Sequence, residues 1–252
     1  MRQVTFKDTY TLGDIVNETA LFIHYHYPKM LMRYDSNFIE FKTLPSLSEF
    51  IAVERYIKDF HLKKGQKHLK FYFPENVKPT EKLMAYLTDT NYEIGFLELY
   101  TIEPKYFPTV ENNSEIDIQL VTDKTLAILL DRQYKHSVEF GEKFAKQKLE
   151  LIKRQFINPS IQQLLAFYEG KPAGYLDIII ASETAEIDDL SVNQAFQRKG
   201  IGSRLQRFVM DLFPEKIVLL IADGEDTPRE MYKKQNYKNV GFKYEVQKVD
   251  ED

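Results

Sequence analysis

Six residues, Gln197-Arg198-Lys199-Gly200-Ile201-Gly202, carry the clearest chemistry in this chain. They follow an alternating stretch, Ala185 to Val192, and run straight into a segment whose Ile201, Leu205, Phe208, Val209 and Leu212 fall on one helical stripe. A glycine-bearing loop that opens a helix leaves a row of backbone N–H groups at the positive end of the helix dipole, which is a device for binding phosphate. Glycine allows an anion to approach the backbone closely and accepts a positive φ. Arg198 and Lys199 add positive charge beside the same spot. The spacing is neither the dinucleotide fingerprint Gly-x-Gly-x-x-Gly nor the Gly-x-x-x-x-Gly-Lys-Ser/Thr loop. Just upstream, Glu186, Asp188, Leu190 and Val192 share one face of the expected strand, so two carboxylates stand side by side.

The elements that must position these groups are readable around them. Asp117 to Val121 reads as a short strand, and Thr122 to about Ile157 as a long helical pattern broken near Phe140-Gly141. Gln162 to Tyr168 and Pro172 to Ala181 are apolar runs joined at Glu169-Gly170-Lys171, a hairpin signature. Pro214 stops the helix that follows the loop, and Lys216 to Ala222 is a continuous apolar run, as expected of a buried strand. Thr227-Pro228-Arg229-Glu230 has the pattern of a helix start, with Thr227 as N-cap. Gly241 to Val249 reads as the last strand.

The pattern Gln/Arg-x-x-Gly-x-Gly/Ala between a strand and a helix resembles the pyrophosphate loop of the GNAT superfamily of acyl-CoA-dependent N-acyltransferases. The order β, α–α, β, β, β, loop, α, β, α, β over residues about 115 to 250 is similar to that family's fold. Met231-Tyr232-Lys233-Lys234-Gln235-Asn236-Tyr237 resembles its Leu-Tyr-Glu-Lys-x-Gly-Phe ending, with Asn236-Tyr237 in place of Gly-Phe. The family's usual Asn after the preceding strand has no plain counterpart in Ala222-Asp223-Gly224-Glu225-Asp226.

The resemblance implies acetyl-CoA as co-substrate. Backbone groups of Leu190, Ser191 and Val192 would hold the pantetheine arm, and the N–H groups of Gln197, Arg198, Lys199, Gly200, Ile201 and Gly202, with Ser203, the pyrophosphate. Glu186 occupies the family's general-base position, with Asp188 in reserve, and Tyr232 the general-acid position. The implied activity is N-acetyl transfer to a primary amine, expected to be a small molecule. A protein N-acetyltransferase and a non-catalytic acyl-CoA-binding module are the alternatives. The acidic strand Glu183 to Asp189 favours a cationic acceptor lying between the helices of residues 122 to 157 and the N-terminal half.

Composition narrows the field. The chain has 252 residues, 43% apolar and 29% charged, an ordinary balance for a globular protein. The start Met-Arg-Gln-Val-Thr-Phe-Lys-Asp has no apolar signal core, and no apolar run reaches the length of a membrane span. The complete lack of cysteine removes disulfides and thiolate chemistry, and suits a cytoplasmic location. A net charge of −4 argues against nucleic acid as the main partner. No Gly-x-Ser-x-Gly elbow supports serine hydrolysis. His24-Tyr25-His26 places two imidazoles on one strand face, and without a third ligand nearby the expectation is structural histidines and no metal. Lys63, Lys64, Lys67 and Lys70 read as a solvated helix-to-strand connection around Gly65.

The N-terminal half reads as a degenerate echo of the second. Phe38 to Phe41, a helix from the capping box Ser46-Leu47-Ser48-Glu49 to about Leu62, Leu69 to Phe73, a helix from Pro79 to about Thr88, and Gly95 to Ile102 give strand-helix-strand-helix-strand. Asn91-Tyr92 then Gly95-Phe96 matches Asn236-Tyr237 then Gly241-Phe242. Where the second copy has its glycine-basic loop, the first has Thr43-Leu44-Pro45-Ser46-Leu47-Ser48, so no cofactor grip is expected there. The resemblance thus implies a mixed α+β fold class, with a GNAT fold in residues 115–252 and a truncated GNAT-like α/β domain in residues 1–108. Glu103 to Glu115, which contains two prolines, is the expected linker. The oligomeric state is left open.

Overall fold

In the computed structural model, which describes residues 3–224 and 228–249, one mixed sheet runs through the whole molecule. Its strands are β1 (Asp14–Glu18), β2 (Phe22–His26), β3 (Phe38–Phe41), β4 (His68–Tyr72), β5 (Glu93–Ile102), β6 (Ile116–Leu120), β7 (Ile161–Tyr168), β8 (Lys171–Ile180), β9 (Thr184–Val192), β10 (Ile217–Asp223) and β11 (Lys238–Val249). The helices are α1 (Leu47–Lys63), α2 (Glu81–Asp89), α3 (Leu126–Ser137), α4 (Glu142–Phe156), α5 (Ile201–Leu212) and α6 (Pro228–Lys234). The Thr227 cap lies outside the described residues.

Local chemistry explains most of these limits. Ser46 and Glu49 form the reciprocal capping box at the start of α1. Pro79 lies one residue before the Thr80 cap of α2 rather than at the first helical position, because the Thr80 hydroxyl takes the capping role by accepting from the Leu83 N–H. Gly141, at φ 104°, makes the break between the short turn of residues 138–140 and α4. The two halves end their last helix alike. Asn91 at φ 60° and Asn236 at φ 66° are left-handed, and each following Tyr N–H donates back to a carbonyl five residues earlier, Tyr92 to Leu87 and Tyr237 to Tyr232.

The strand order is β1-β2-β3-β4-β11-β5-β10-β9-β8-β7-β6. Hence the two halves exchange their last strands. β5 pairs with β10 and β11, and β11 pairs with β4 and β5. A cut between residues 108 and 115 would strip β10 of one neighbour and β11 of both, so the two halves share one sheet rather than sit as beads on a linker. Each of the residues Ile94, Phe96, Glu98, Tyr100 and Ile102 faces the side of the sheet covered by helices α1, α2, α5 and α6, where two apolar clusters meet.

The opposite face is covered unevenly. α3 and α4 pack Leu129 and Ile152 onto Leu165, Phe167 and Tyr175 of β7 and β8. Beside them the N-terminal segment lays Val4 and Phe6 on Leu99 and Leu219. Beyond that segment, among the described residues, only the short helical turn Tyr34–Ser36 lies against β4 and no α-helix covers β3, β4 and β11, which is where the first half is truncated relative to the second. Lys70 belongs to this face. Contrary to the expected solvated cluster, it is 5% exposed and paired with Glu245 at 2.7 Å. Its place on β4, with strands on both sides, carries it inward while Lys63 and Lys64 stay outside.

Candidate acyl-transfer site

β9 and β10 begin as parallel neighbours, from Ile217 beside Thr184 to Leu220 beside Ile187, and then part. β10 continues along β5 to Asp223, while β9 continues along β8 to Val192. Past Ile187 one edge of β9 therefore has no strand against it among the described residues. A cavity of about 1150 Å³ enters this gap. It is lined by Glu186 and Asp188, by Leu190 and Leu220, and by Tyr232. Glu186 shares its face with Leu219, under the N-terminal segment, whereas Leu220 and Tyr232 belong to the cluster on the α5 side. The cavity thus passes through the sheet and joins the two faces.

The alternation expected from Ala185 to Val192 holds only as far as Asp188. Asp189 adopts φ 52°, and the register against β8 shifts between Tyr175 and Asp177. This bulge re-aims the strand at the point where it leaves β10, so residues of both parities line the cavity. Lys148 pairs with Asp189 at 3.0 Å, and Arg132 donates to the Ser191 hydroxyl at 2.9 Å. These contacts hold the far end of β9 from the α3–α4 side.

Glu186 is 7% exposed. Its Oε2 accepts the Tyr10 N–H at 2.7 Å. Burial pushes its carboxyl up to about 8, against the Tyr10 hydrogen bond, which lowers it, and with the Asp188 charge, which raises it. Asp188 is also raised by burial first and by Asp189 second. Its cross-strand partner Asp177 is pushed up to about 7 by burial and accepts from the Tyr175 hydroxyl. Neither Tyr10, which sits 176 residues away from Glu186 in sequence, nor Arg132 announces itself in the chain. Asp177 did leave a signal, as a lone carboxylate inside the apolar run Tyr175-Leu176-Asp177-Ile178-Ile179-Ile180.

At the head of α5 the N-cap is Gly200, left-handed at φ 83°, and no side chain caps the helix. Its first N–H groups therefore have no side-chain acceptor. A Cβ at Gly202 would meet only the Val192 Cγ2, at 3.9 Å, so internal packing does not demand a glycine there. Arg198 is exposed, at φ 61°. The Lys199 ammonium sits 4.3 Å from the Tyr168 ring centroid, whose hydroxyl donates to Glu115. The Ser203 hydroxyl accepts from Gln235 at 3.1 Å. The corresponding head of α1 is closed, because Ser46 and Glu49 satisfy it. Tyr232 is 8% exposed, with its ring 5.4 Å from Tyr100 and 5.6 Å from Tyr237.

The acetyltransferase (GNAT) family model matches residues 126–237, the segment that contains this loop, the splayed strands and Tyr232. Residues 126–237 are a GNAT acetyltransferase domain. Residues 4–100 match a domain of unknown function, DUF5613. A functionally unknown conserved protein from Staphylococcus epidermidis is 34% identical, with 98% of each chain covered and a TM-score of 0.90. At the level of fold, a GCN5-related N-acetyltransferase from Kribbella flavida is similar over 95% of this chain and 91% of its own, with 11% identity and a TM-score of 0.63. A tandem GNAT protein from the clavulanic acid biosynthesis pathway is similar over 85% of this chain and 76% of its own, with 11% identity and a TM-score of 0.53. No curated protein matches. The GNAT assignment makes the protein an acyltransferase, with a GNAT fold in the second half and a GNAT-like fold in the first.

The groups present suit an acyl-CoA. The uncapped head of α5 offers backbone donors for pyrophosphate, and the free edge of β9 offers main-chain groups to an extended amide arm. His24 and His26 share a face of β2, where they are buried against Phe60. Among the described residues no group of three or more His, Asp or Glu is placed to hold a metal, and no helix is long and apolar enough to cross a membrane.

Proposed function

We propose that the protein transfers an acetyl group from acetyl-CoA to a primary amine of a small molecule. The observation that carries this reading is the cavity that threads the sheet between β9 and β10, with Glu186 on one side and Tyr232 on the other. Backbone groups of Leu190, Ser191 and Val192 align the pantetheine arm along the open edge. The N–H groups from Arg198 to Gly202, with Ser203, hold the pyrophosphate, so the thioester lies at the gap; the Gln197 N–H donates to the Gln194 carbonyl at 3.3 Å and is the least available of the run. Arg198 and Lys199 serve as positive charge near the loop, Arg198 being the freer of the two because Lys199 sits over Tyr168.

The acceptor enters from the face lined by the N-terminal half. An amine near its ordinary pKa of about 10.4 must lose a proton to attack. Glu186 takes that proton as the C–N bond forms, directly or through one water. A backbone N–H of Leu190 or its neighbour faces the developing oxyanion. As the C–S bond breaks, the Tyr232 hydroxyl gives its proton to the departing thiolate. A carboxyl pushed up to about 8 is suited to the task, since a base is most effective when its pKa lies near the working pH.

The test is thiol release from acetyl-CoA against a panel of small amines. At least one amine is expected to raise thiol release well above the slow hydrolysis seen without acceptor, with one acetylated amine formed per thiol. Binding of acetyl-CoA with no amine-stimulated release across the panel would contradict the small-molecule reading.

A further inference from the structure

The acceptor cavity carries more cations than its chemistry at Glu186 requires, and three of them are neutralised locally. Lys42 pairs with Glu18 at 2.5 Å, Lys70 with Glu245 at 2.7 Å, and Lys243 with Glu40 at 2.6 Å. Lys7 is exposed at the mouth. Arg33 differs from all of these. It is half-buried and lines the cavity, and its Nε is buried without a hydrogen-bond partner. Among the described residues it has no ion pair. The carboxylate nearest in sequence, Asp35, is already engaged by the Tyr72 hydroxyl at 2.9 Å and by Lys70 at 3.5 Å. The fold uses the main chain of Arg33, whose carbonyl accepts from Asn37 and from the Ser36 N–H, and not its guanidinium.

The buried, unpartnered Nε of Arg33 is costly unless an acceptor completes it. The planar fork of the guanidinium matches carboxylate geometry, with two parallel N–H···O bonds available. The charge also lies close to the chemistry, since the Arg33 guanidinium pulls the Asp188 carboxyl down against the effect of burial. The cavity lining therefore holds the carboxylates Glu186 and Asp188 together with a guanidinium that has no ion pair among the described residues.

We propose that the acceptor is a zwitterion, an amino acid whose α-carboxylate is bound by Arg33 while its amine is directed to Glu186. This inference rests on the acyltransferase reading for the amine end only. The carboxylate end is a matter of binding and is measurable without turnover. Aromatic walls from Tyr25 and Phe38, stacked at 4.9 Å, and Tyr72 leave room for a side chain beyond the two charged ends.

The test compares the proteinogenic α-amino acids with the amines left when their carboxyl groups are removed, by calorimetry on the full-length protein in the presence of CoA. At least one amino acid is expected to bind ten-fold or more tightly than its amine. Arg33→Gln should abolish that preference while leaving the amine's affinity and the CoA affinity unchanged, and Arg33→Lys should restore part of it. Unchanged CoA affinity shows that each variant is folded. The proposal is overturned if the amines bind as well as the amino acids, if neither series binds, or if Arg33→Gln weakens both series equally, which is the mark of a structural role. Failure of the acyl-transfer reading would appear separately, as zwitterion binding without thiol release.

Discussion

Glu186→Gln is expected to slow acetyl transfer by about 10²-fold near neutral pH, within the usual range for loss of one general base. Gln keeps the shape and can still accept the Tyr10 N–H that now binds Oε2 at 2.7 Å. What it cannot do is take a proton. The wild-type rate should climb as pH rises through about 8, where the carboxyl ionises. In the variant that limb is absent, and the deficit should shrink as pH approaches the amine's own pKa and solvent supplies the free base. The same substitution has a stability signature of defined sign. A carboxyl whose pKa is raised on folding holds its proton in the folded chain and not in the unfolded one between the ordinary value of 4.5 and about 8. Its favourable contribution is complete below that window and is lost as pH rises through it. Wild type and variant should therefore have similar Tm at pH 5, and the variant the higher Tm above pH 8. A variant with wild-type rates across the whole range would transfer the base role to Asp188, which lines the same cavity.

Tyr232→Phe should lower kcat by roughly 10²-fold, again the scale of one acid–base group, and change the KM for acetyl-CoA far less. The ring is held by Tyr100 and Tyr237 at centroid distances of 5.4 Å and 5.6 Å, contacts that Phe preserves. The ring packing should consequently be retained. A kcat equal to wild type would mean that solvent protonates the thiolate and that Tyr232 serves packing alone.

Features written in local sequence were the legible ones. The Ser46–Glu49 box, the turn at Glu169-Gly170 and the strand-loop-helix around Gly200 each arise from a few adjacent residues with one conformational answer. The exchange of β5 and β11 has no such signature. Both strands have an apolar side for the helical face, and nothing in either dictates which neighbour it joins, since pairing is settled by contacts made across the whole chain. The bulge at Asp189 escaped for a related reason, because a left-handed aspartate looks like any other in a period-two pattern. Lys70 shows the limit of reading charge as exposure: the partner that makes its burial tolerable, Glu245, lies on the exchanged strand. At the site, the loop and Glu186 stood out in sequence, whereas Tyr10 and Arg33 reach the cavity, and Arg132 reaches Ser191, only through folding.

Acyl-CoA binding at the head of α5 is the claim on which the rest depends. Calorimetric titration of acetyl-CoA into wild type and Gly202→Asp tests it most directly. A Cβ added at Gly202 meets only Val192 Cγ2, at 3.9 Å, so the variant should fold normally. Its carboxylate would stand against the pyrophosphate. Wild type should bind one acetyl-CoA per chain, and the variant should bind it at least ten-fold more weakly, about 1.4 kcal/mol. Two sites per chain, or equal affinity in a correctly folded variant, would contradict that claim.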